Sequence, residues 1–366
     1  MSAEQPSLVL VVNPGSTSTK VALYENETSV LQETLRYEAA ELAPFPHIAD
    51  QYAFRRDSVL RWLEAHGIAL HRLRAVVGRG GLFRPLQSGT YLVNAAMLEE
   101  MRSPGPREHA ANLGVLISQE IAERAGVPAF TVDPVSVDEF DDIARISGLA
   151  EVQRQSLSHA LNIKAVARRA AAGLGRQYRD LNMVIVHLGG GISVTAHRRG
   201  QMVDVNNALD AGPFSPERSG TLPLTDLIEM CYSGRFTKEA LKKHLVGEGG
   251  LVSHLGTNST IEVEKRIAKG DEHARLVSQA LAYQVAKEIG AMATVLKGEV
   301  DAIVLTGGVA RWKELVEWIR ERVSFIAPVL VYPGEDEMLA LAEGALRVLR
   351  GEEEAKTYTG GFDAHS

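Results

Sequence analysis

The amino-acid sequence predicts an α/β protein in which one structural unit occurs twice. Three observations support this: two valine-rich hairpins that break at small residues, two later strands that end in glycines, and the same order of elements after each. Repetition of several elements in one order indicates a duplicated unit. At 366 residues, the chain is also too long for one simple core, and two domains are the default expectation.

Each half begins with three strands, the first two of which are joined by a small-residue turn. The first turn runs from Asn13 to Thr19, and the corresponding turn of the second half is Gly189-Gly190-Gly191. Apolar runs broken by such residues are typical of hairpins. The predicted strands are residues 8–12, 20–24 and 29–35 in the first half and residues 183–188, 192–197 and 202–205 in the second.

The later elements also match between the halves. A strand runs into Gly78-Arg79-Gly80-Gly81 in the first half and into Thr306-Gly307-Gly308 in the second. A helical pattern, a proline-flanked strand and another helix follow each glycine run. These elements are residues 75–77, 108–125, 128–132 and 158–172, and then residues 302–305, 313–323, 328–332 and 337–349.

Composition and charge exclude several classes of protein. The net charge is −7 and no basic stripe stands out, so we expect no nucleic-acid partner. The N-terminal residues do not resemble a signal peptide, and no apolar run approaches the roughly 20 residues that span a bilayer. We therefore expect no membrane association and a cytoplasmic location, which the single cysteine, Cys231, suits.

Three small-residue segments could bind phosphate groups. They are Asn13 to Thr19, Gly189 to Gly191, and Gly307-Gly308. Glycine lets backbone N–H groups approach a phosphate closely. Any one segment could equally be an ordinary turn, but three at matching places favour phosphate binding. The first is not a P-loop, because the second glycine before Lys20 is absent and a strand follows it.

Charged residues near these segments are the candidate reacting groups. Arg79 and Arg218 could each pair bidentately with a carboxylate or phosphoryl group, or could prop a surface loop. Asp133 ends a strand before a proline and could equally be only a turn cap. His159 lies at a predicted helix start and could have no chemical role. Residues 335–337 are acidic and could bind Mg²⁺ or satisfy the dipole of the following helix.

Together these segments resemble the acetate kinase family, and within it the butyrate kinases. NPGSTSTK is similar to the family's N-x-G-S-x-S-x-K motif, HLGGG to its H-L-G-x-G loop and ERSG to its R-S-G segment, while GRGG, TVDP, SLSHALN and LTGGVAR read like butyrate kinase segments. The similarity runs from about Leu8 to Leu349. It implies two duplicated ribonuclease-H-like domains, the core of actin-like ATPases, with a cleft between them.

This resemblance implies a domain organisation. Residues 1–153 would form the N-terminal domain, joined by the C-terminal helix 336–351. Residues 154–335 would form the C-terminal domain, which binds nucleotide and mediates dimerisation. We expect residues 352–366 to be a loosely ordered tail.

The resemblance also implies the roles of individual residues. Arg79 and Arg218 would bind the carboxylate and the transferring phosphoryl group, Asp133 would position substrate or metal, and His159 would stabilise the phosphoryl group. Mg²⁺ would bind Asn13 with Asp336 or Glu337. The residues assigned to ATP or ADP are Asn13, Gly15, Ser16, Thr17, Ser18, Lys20, His187, Gly189, Gly190, Gly191, Gly307 and Gly308.

Two departures from the family pattern stand out. The R-V-V-H-G-G stretch of acetate kinases is shortened to Arg79-Gly80-Gly81. Gln155 replaces the first histidine of the family's F-H-G-T-S-H motif, which leaves only His159.

The implied activity is direct, reversible transfer of the γ-phosphoryl group of ATP to a short-chain fatty acid such as butanoate, in a homodimer or higher homo-oligomer. A carboxylate is already a nucleophile, so the site must supply positioning and charge neutralisation rather than a base. The alternatives are another acid (acetate, propionate, isobutyrate or a branched chain), a sugar kinase, and an ATP-binding regulator or chaperone. Asn13 counts against a sugar kinase, because sugar kinases usually carry an aspartate in that loop.

Overall fold

The computed structural model describes residues 8–102, 109–209 and 211–361. Among these residues, the chain divides into two compact units: the residues up to Val137 together with those from Asp336 onward, and Asp138–Glu335. Residues 138–153, which the sequence analysis assigns to the first domain, cluster with the second unit, where Glu139 pairs with Lys164. None of the helices in the described ranges is long and apolar enough to cross a bilayer.

The first unit is built on a seven-stranded sheet. Its strands are β1 Leu8–Pro14, β2 Ser18–Glu25, β3 Thr28–Arg36, β4 Leu73–Gly78, β5 Thr90–Leu92, β6 Ala129–Val132 and β12 Lys356–Thr357. Their order across the sheet is β12-β5-β6-β4-β1-β2-β3. β1 is buried along its whole length, because the sheet packs against helices and carries a continuous apolar run at its centre.

The first unit contains helices from both ends of the chain. They are α1 Ala39–Leu42, α2 Tyr52–Ala65, α3 Ala95–Arg102, α4 Asn112–Ala125 and α13 Glu337–Leu349. α4 packs on β1, β4 and β6, and so does α13, although it follows the second sheet in the chain. α4 ends at Gly126, which has φ 69° and caps the helix in the left-handed conformation.

The second unit has a five-stranded sheet in the order β11-β10-β7-β8-β9. These strands are β7 Asn182–Leu188, β8 Ile192–Arg198, β9 Gln201–Val205, β10 Ala302–Gly307 and β11 Val329–Pro333. The helices are α5 Asp142–Arg145, α6 Ala160–Gly173, α7 Leu224–Tyr232, α8 Lys238–Leu245, α9 Gly250–Leu255, α10 Thr260–Ala268, α11 Glu272–Val295 and α12 Lys313–Val323. α11 contributes its buried face to the main core, and α6 packs on β7 and β10.

The two sheets share one topology, which confirms the predicted duplication. Five strands of the first sheet, β3-β2-β1-β4-β6, correspond to β9-β8-β7-β10-β11 of the second. In both, the first three strands in the chain are antiparallel. β4 and β10 pair in parallel with the central strands β1 and β7, and β6 and β11 pair in parallel with β4 and β10. The helix predicted over residues 108–125 begins at Asn112 in the structure, and residue 108 lies outside the described ranges.

The expectation of a loosely ordered tail is wrong for residues 352–361. β12 pairs in parallel with β5, and Tyr358 is only 3% exposed. The Tyr358 ring packs against Phe83 with centroids 5.3 Å apart, and its hydroxyl donates to Glu100. The polar, glycine-containing composition predicted disorder. The buried ring of Tyr358 and the pairing of β12 with β5 nevertheless order this segment.

Candidate active site

The turn between β1 and β2 forms the first part of the candidate site. The backbone N–H of Gly15 donates to the carbonyl oxygen of Ser18 at 2.8 Å and closes the turn. Ser16 and Thr17 lie at its tip and are exposed. Hydroxyl groups and backbone N–H groups at a tight turn are the donors that a phosphate-binding loop requires.

A cavity of about 250 Å³ lies beside this turn within the first unit. Arg79 forms an ion pair with one carboxylate oxygen of Glu337, and Asn13 Nδ2 donates to the other at 3.0 Å. The Nε atom of Arg79 is buried without a hydrogen-bond partner. The cavity is lined by Asn13, Pro14, Gly15, Ser18, Lys20, Arg79, His109, Ala111, Val135 and Glu337.

His109 is a cavity residue that the sequence analysis did not single out. Its Nδ1 accepts a hydrogen bond from the backbone N–H of Ala111 at 3.1 Å. Burial and the nearby charge of Arg79 lower the pKa of His109, so the imidazole is neutral at pH 7 and carries its proton on Nε2. A lone histidine ahead of an apolar helix matches no motif, so no sequence signal marked it.

The glycines around Arg79 allow the end of β4 to pack against the start of α4. A Cβ atom on Gly78 would lie 2.1 Å from the carbonyl oxygen of Gly114, and one on Gly81 would lie 2.0 Å from Oδ1 of Asn112. Real side chains cannot approach so closely. The GRGG segment therefore fixes the backbone that carries Arg79.

Asp133 follows β6 in a strained backbone conformation. Its φ is 38°, which costs a residue other than glycine about 1–3 kcal/mol. The side chain is buried, and its Oδ1 accepts hydrogen bonds of 2.7 Å from Ser88 Oγ and the backbone N–H of Gly89. Asp133 is thus anchored to the loop before β5, and its role in positioning substrate or metal stays a prediction.

The three acidic residues 335–337 have different surroundings. Glu337 contacts Asn13, whereas Asp336 accepts a backbone N–H at 3.2 Å and caps α13, and Glu335 belongs to the second unit. No group of three metal-ligating side chains occurs among the described residues. Mg²⁺ commonly takes only one or two protein carboxylates besides phosphate oxygens and water. Asn13 and Glu337 offer an amide oxygen and a carboxylate, which are donors of the kind that Mg²⁺ binds, and their assignment to the metal stays a prediction.

Two histidines stack in the second unit. The rings of His159 and His187 are nearly parallel, with centroids 3.9 Å apart. Nδ1 of His159 lies 3.0 Å from Ser193 Oγ, and Nδ1 of His187 lies 2.8 Å from Asn162 Oδ1. Nε2 of His187 is 3.2 Å from Oε1 of Glu335. The structure thus brings two of the predicted site residues into direct contact, and a hydrogen bond at Nδ1 orients each ring.

Arg218 lies against the glycine turn between β7 and β8. A Cβ atom on Gly191 would lie 2.2 Å from Nη1 of Arg218, and this Nη1 donates to the carbonyl oxygen of Ala208 at 2.6 Å. The Nε atom is buried without a partner. Burial lowers the pKa of Arg218, although a guanidinium stays charged at neutral pH. Ser215 donates to Gly190 and accepts the N–H of Arg218, which ties the turn to the arginine.

Gly307 and Gly308 were both predicted to contact the nucleotide, but the backbone at the end of β10 requires glycine only at Gly307. Gly307 has φ 92°, and a Cβ atom there would lie 2.2 Å from the carbonyl oxygen of Leu188. Gly307 also exchanges two backbone hydrogen bonds with Gly334, at 3.1 and 2.8 Å. A Cβ atom on Gly308 would meet nothing within 4 Å. The assignment of both glycines to the nucleotide stays a prediction.

Comparison with known proteins identifies the fold and one matching family. Three solved structures cover nearly the whole chain, and their likeness confirms the duplicated α/β fold of the acetate and propionate kinases. Residues 151–326, just under half of the chain, match the model of the acetokinase family. His159, His187 and Arg218 lie inside that match, whereas Asn13 and Arg79 lie outside it.

The three structures share little sequence with this chain. Acetate kinase from Porphyromonas gingivalis has a TM-score of 0.75 at 20% identity, over 94% of this chain and 100% of that one. A propionate kinase from Francisella tularensis subsp. tularensis SCHU S4 has a TM-score of 0.71 at 20% identity, over 92% and 98%. Acetate kinase from Entamoeba histolytica has a TM-score of 0.73 at 16% identity, over 93% and 99%.

Proposed function

We propose that this chain is a member of the acetokinase family and transfers the γ-phosphoryl group of ATP to a short-chain carboxylate. The match of residues 151–326 to the family model supports this, as does the fold shared with acetate and propionate kinases. The observation that carries the proposal is the cavity beside the first turn. There, Arg79 keeps a buried, unpartnered Nε atom next to Asn13 and Glu337.

The proposed chemistry follows from the charges of these side chains. A carboxylate attacks without a base, so the protein must hold the acid and neutralise charge on the phosphoryl oxygens. Arg79 and Arg218 suit that task, because each guanidinium offers a fork of donors of which Nε has no acceptor of its own. His159 would donate to a phosphoryl oxygen, with Ser193 holding its other ring nitrogen.

The nucleotide phosphates would be held by backbone groups of two turns. These are the turn at Gly15 to Ser18 and the glycine turn Gly189–Gly191, whose small residues permit close approach. Asn13 and Glu337 would hold Mg²⁺. When bound, this ion supplies positive charge to the phosphate oxygens.

For the acid, we propose butanoate, as in the butyrate kinases. The support is the run of segments GRGG, TVDP, SLSHALN and LTGGVAR, which are similar to butyrate kinase sequences. Acetate, propionate, isobutyrate and other branched acids are the competing substrates. One methylene group in an apolar pocket changes discrimination by only about 1–3 kcal/mol, so the activity ratio between neighbouring acids must be measured.

We also propose that the protein is a cytoplasmic homodimer or higher homo-oligomer that contacts its partner through the second unit. α7 supports the interface, because none of its residues is buried. Leu224, Ile228 and Tyr232 lie at spacings of four residues, on one face of the helix, and are 75%, 55% and 87% exposed. An exposed apolar stripe of this kind is typical of an interaction surface.

The decisive experiment traps acyl phosphate with hydroxylamine in the presence of ATP, Mg²⁺ and straight or branched acids of two to six carbons. We expect the highest rate with butanoate or its branched neighbours. The Arg79→Gln variant is the control, because product from a contaminating kinase would persist in it. A peak at acetate would change the proposed acid but keep the chemistry. ATP binding without acyl phosphate from any acid would refute the kinase and leave the regulator alternative.

A further inference from the structure

Arg55 is a completely buried arginine beneath the turn between β1 and β2. Its Nη1 donates to the carbonyl oxygens of Gly15 at 2.6 Å and Ser18 at 2.9 Å, and its Nη2 donates to that of Ser16 at 2.8 Å. Nε and Nη2 also donate to Oε1 of Gln51, at 3.0 and 2.7 Å. A guanidinium has five N–H donors, so each donor of Arg55 has an acceptor.

These bonds decide which way the peptide groups of the turn point. The C=O and N–H groups of a planar trans peptide point in opposite directions, and the described residues contain no cis peptide bond. Arg55 draws the carbonyls of Gly15 and Ser16 inward. The N–H groups of Ser16 and Thr17 consequently point away from Arg55, at residues that are exposed. Two adjacent donors facing outward form a concave anion site.

Arg55 also leaves a positive charge beneath this site. Its hydrogen-bond acceptors are carbonyl oxygens, the side chain of Gln51 and, at 3.4 Å, the hydroxyl of Thr19, all of them neutral. The Tyr37 ring lies 5.0 Å from the guanidinium carbon. Burial lowers the pKa of Arg55, but a guanidinium remains charged in a protein. A buried charge without a counter-ion is costly, so a bound anion would gain more here than over a neutral turn.

We propose that Arg55 is a positioning residue for the phosphate groups of ATP and ADP, acting through the turn at Gly15 to Ser18. It would orient the N–H groups of Ser16 and Thr17 toward the anion and supply a fixed positive charge behind them. This inference rests on the proposed function, because the phosphates are those of the proposed nucleotide.

The competing role is purely structural. If Arg55 only joined α2 to the turn, its loss would lower the unfolding temperature and leave phosphate affinity of the folded protein unchanged. The two roles therefore differ in the dissociation constants of pyrophosphate and ADP, measured by titration calorimetry on folded protein without any acid. This readout does not depend on catalysis.

The experiment compares Arg55→Lys and Arg55→Gln with the matched control Arg56→Lys. Lysine keeps the charge but lacks the planar fork of five donors, and glutamine loses both features. Since a charged hydrogen bond contributes about 1.5–3 kcal/mol, we expect dissociation constants to rise about tenfold for Arg55→Lys and further for Arg55→Gln. Arg56 pairs with Asp57 and Glu120, so its variant should bind like the wild type. The Michaelis constant for the acid should not change in Arg55→Lys.

Equal affinity of folded Arg55→Lys and wild type for both ligands would overturn the proposal. If both Arg55 variants fail to fold, the wild type provides the test: pyrophosphate should shift the backbone amide resonances of Ser16 and Thr17, and unmoved resonances would overturn it. A wild type that binds pyrophosphate and ADP through these amides but makes no acyl phosphate would refute the proposed kinase and leave the role of Arg55 in anion binding intact.

Discussion

At the scale of single residues, the two candidate catalytic arginines share an unusual feature. Arg79 and Arg218 lie in different units, and each buries an Nε atom that has no hydrogen-bond partner. A buried, unsatisfied donor costs about 1–3 kcal/mol, and native proteins keep few of them. Each of these donors is explained if an anionic group of a substrate accepts it.

Arg218→Lys tests this explanation in the second unit. We expect the rate of acyl phosphate formation to fall by about 10²–10³, because lysine retains the charge but not the donor fork. The matched control is Arg198→Lys, since Arg198 is 44% exposed and pairs with Asp141 at 2.6 Å. If Arg218→Lys is as active as Arg198→Lys, a positive charge without the guanidinium fork is enough for the reaction.

His197 provides a residue-scale prediction about pH. It is fully buried, and its ring nitrogens contact the hydroxyl of Tyr178 and, at 2.8 Å, that of Thr195. Thr195 donates its own proton to the carbonyl oxygen of Ile185, so it accepts from Nε2 of His197. In the neutral imidazole, Nδ1 is then left to accept from the Tyr178 hydroxyl. Burial, together with the charges of Lys164 and Arg168, holds the pKa of His197 well below its usual value.

The lowered pKa of His197 sets the sign of the pH dependence of stability. Below the ordinary histidine pKa of about 6.5, the unfolded chain binds a proton that the folded chain refuses, so acidification destabilises the fold. We expect the free energy of unfolding to fall less between pH 7 and pH 5 in His197→Gln than in the wild type, by about 1.4 kcal/mol for each pH unit between 6.5 and either pH 5 or the folded-state pKa, whichever is higher. Chemical denaturation at both values checks this, and the exposed His71→Gln should behave like the wild type. Parallel loss in His197→Gln and the wild type would contradict it.

At the scale of elements, the contact between β4 and α4 supports Arg79. A Cβ atom on Gly114, in the first turn of α4, would lie 2.4 Å from the carbonyl oxygen of Arg79 itself. His109, which lines the cavity, lies just before this helix in the chain. The position of the Arg79 side chain thus depends on how closely α4 approaches the end of β4.

Gly114→Ala should therefore lower both stability and activity. Alanine normally stabilises a helix by about 1 kcal/mol relative to glycine, but here it must push the Arg79 backbone away. Gly290→Ala in α11 is the matched control, because a Cβ atom there would meet nothing within 4 Å. We expect a lower unfolding temperature and a reduced rate for Gly114→Ala, and a raised unfolding temperature at unchanged rate for Gly290→Ala. A stabilised, fully active Gly114→Ala would exclude this packing role.

Elements that depend on local pattern could be predicted from the sequence, whereas long-range contacts could not. The predicted helices 313–323 and 337–349 match α12 and α13 at both ends, because apolar periodicity and terminal charges are local signals. β12 was missed because two residues that pair with β5 carry no pattern of their own. The site shows the same limit: motifs predicted Arg79, and Asn13 together with Asp336 or Glu337, but not that Glu337 would pair with Arg79 or that Arg55 lies beneath the turn.

At the scale of the whole molecule, duplication gives both sheets the same order but different surroundings. Each central strand ends at a turn of small residues, β1 at Pro14 and β7 at Leu188. The first turn rests on Arg55, whereas the second lies against Arg218. One topology thus supplies two turns of small residues, and each has its own arginine.

Oligomeric state is the whole-molecule property that the exposed face of α7 predicts. Ile228→Glu places a carboxylate in the middle of the apolar stripe, and burying an unpaired charge at an interface costs several kcal/mol. We expect light scattering after gel filtration to give twice the chain mass of 39.7 kDa for the wild type and a single chain mass for Ile228→Glu. Leu276→Glu is the matched control, because Leu276 is a 65% exposed apolar residue on α11, and it should stay dimeric. A wild type that elutes as a single chain at micromolar concentration would refute the dimer, and an Ile228→Glu variant that stays dimeric would move the interface away from α7.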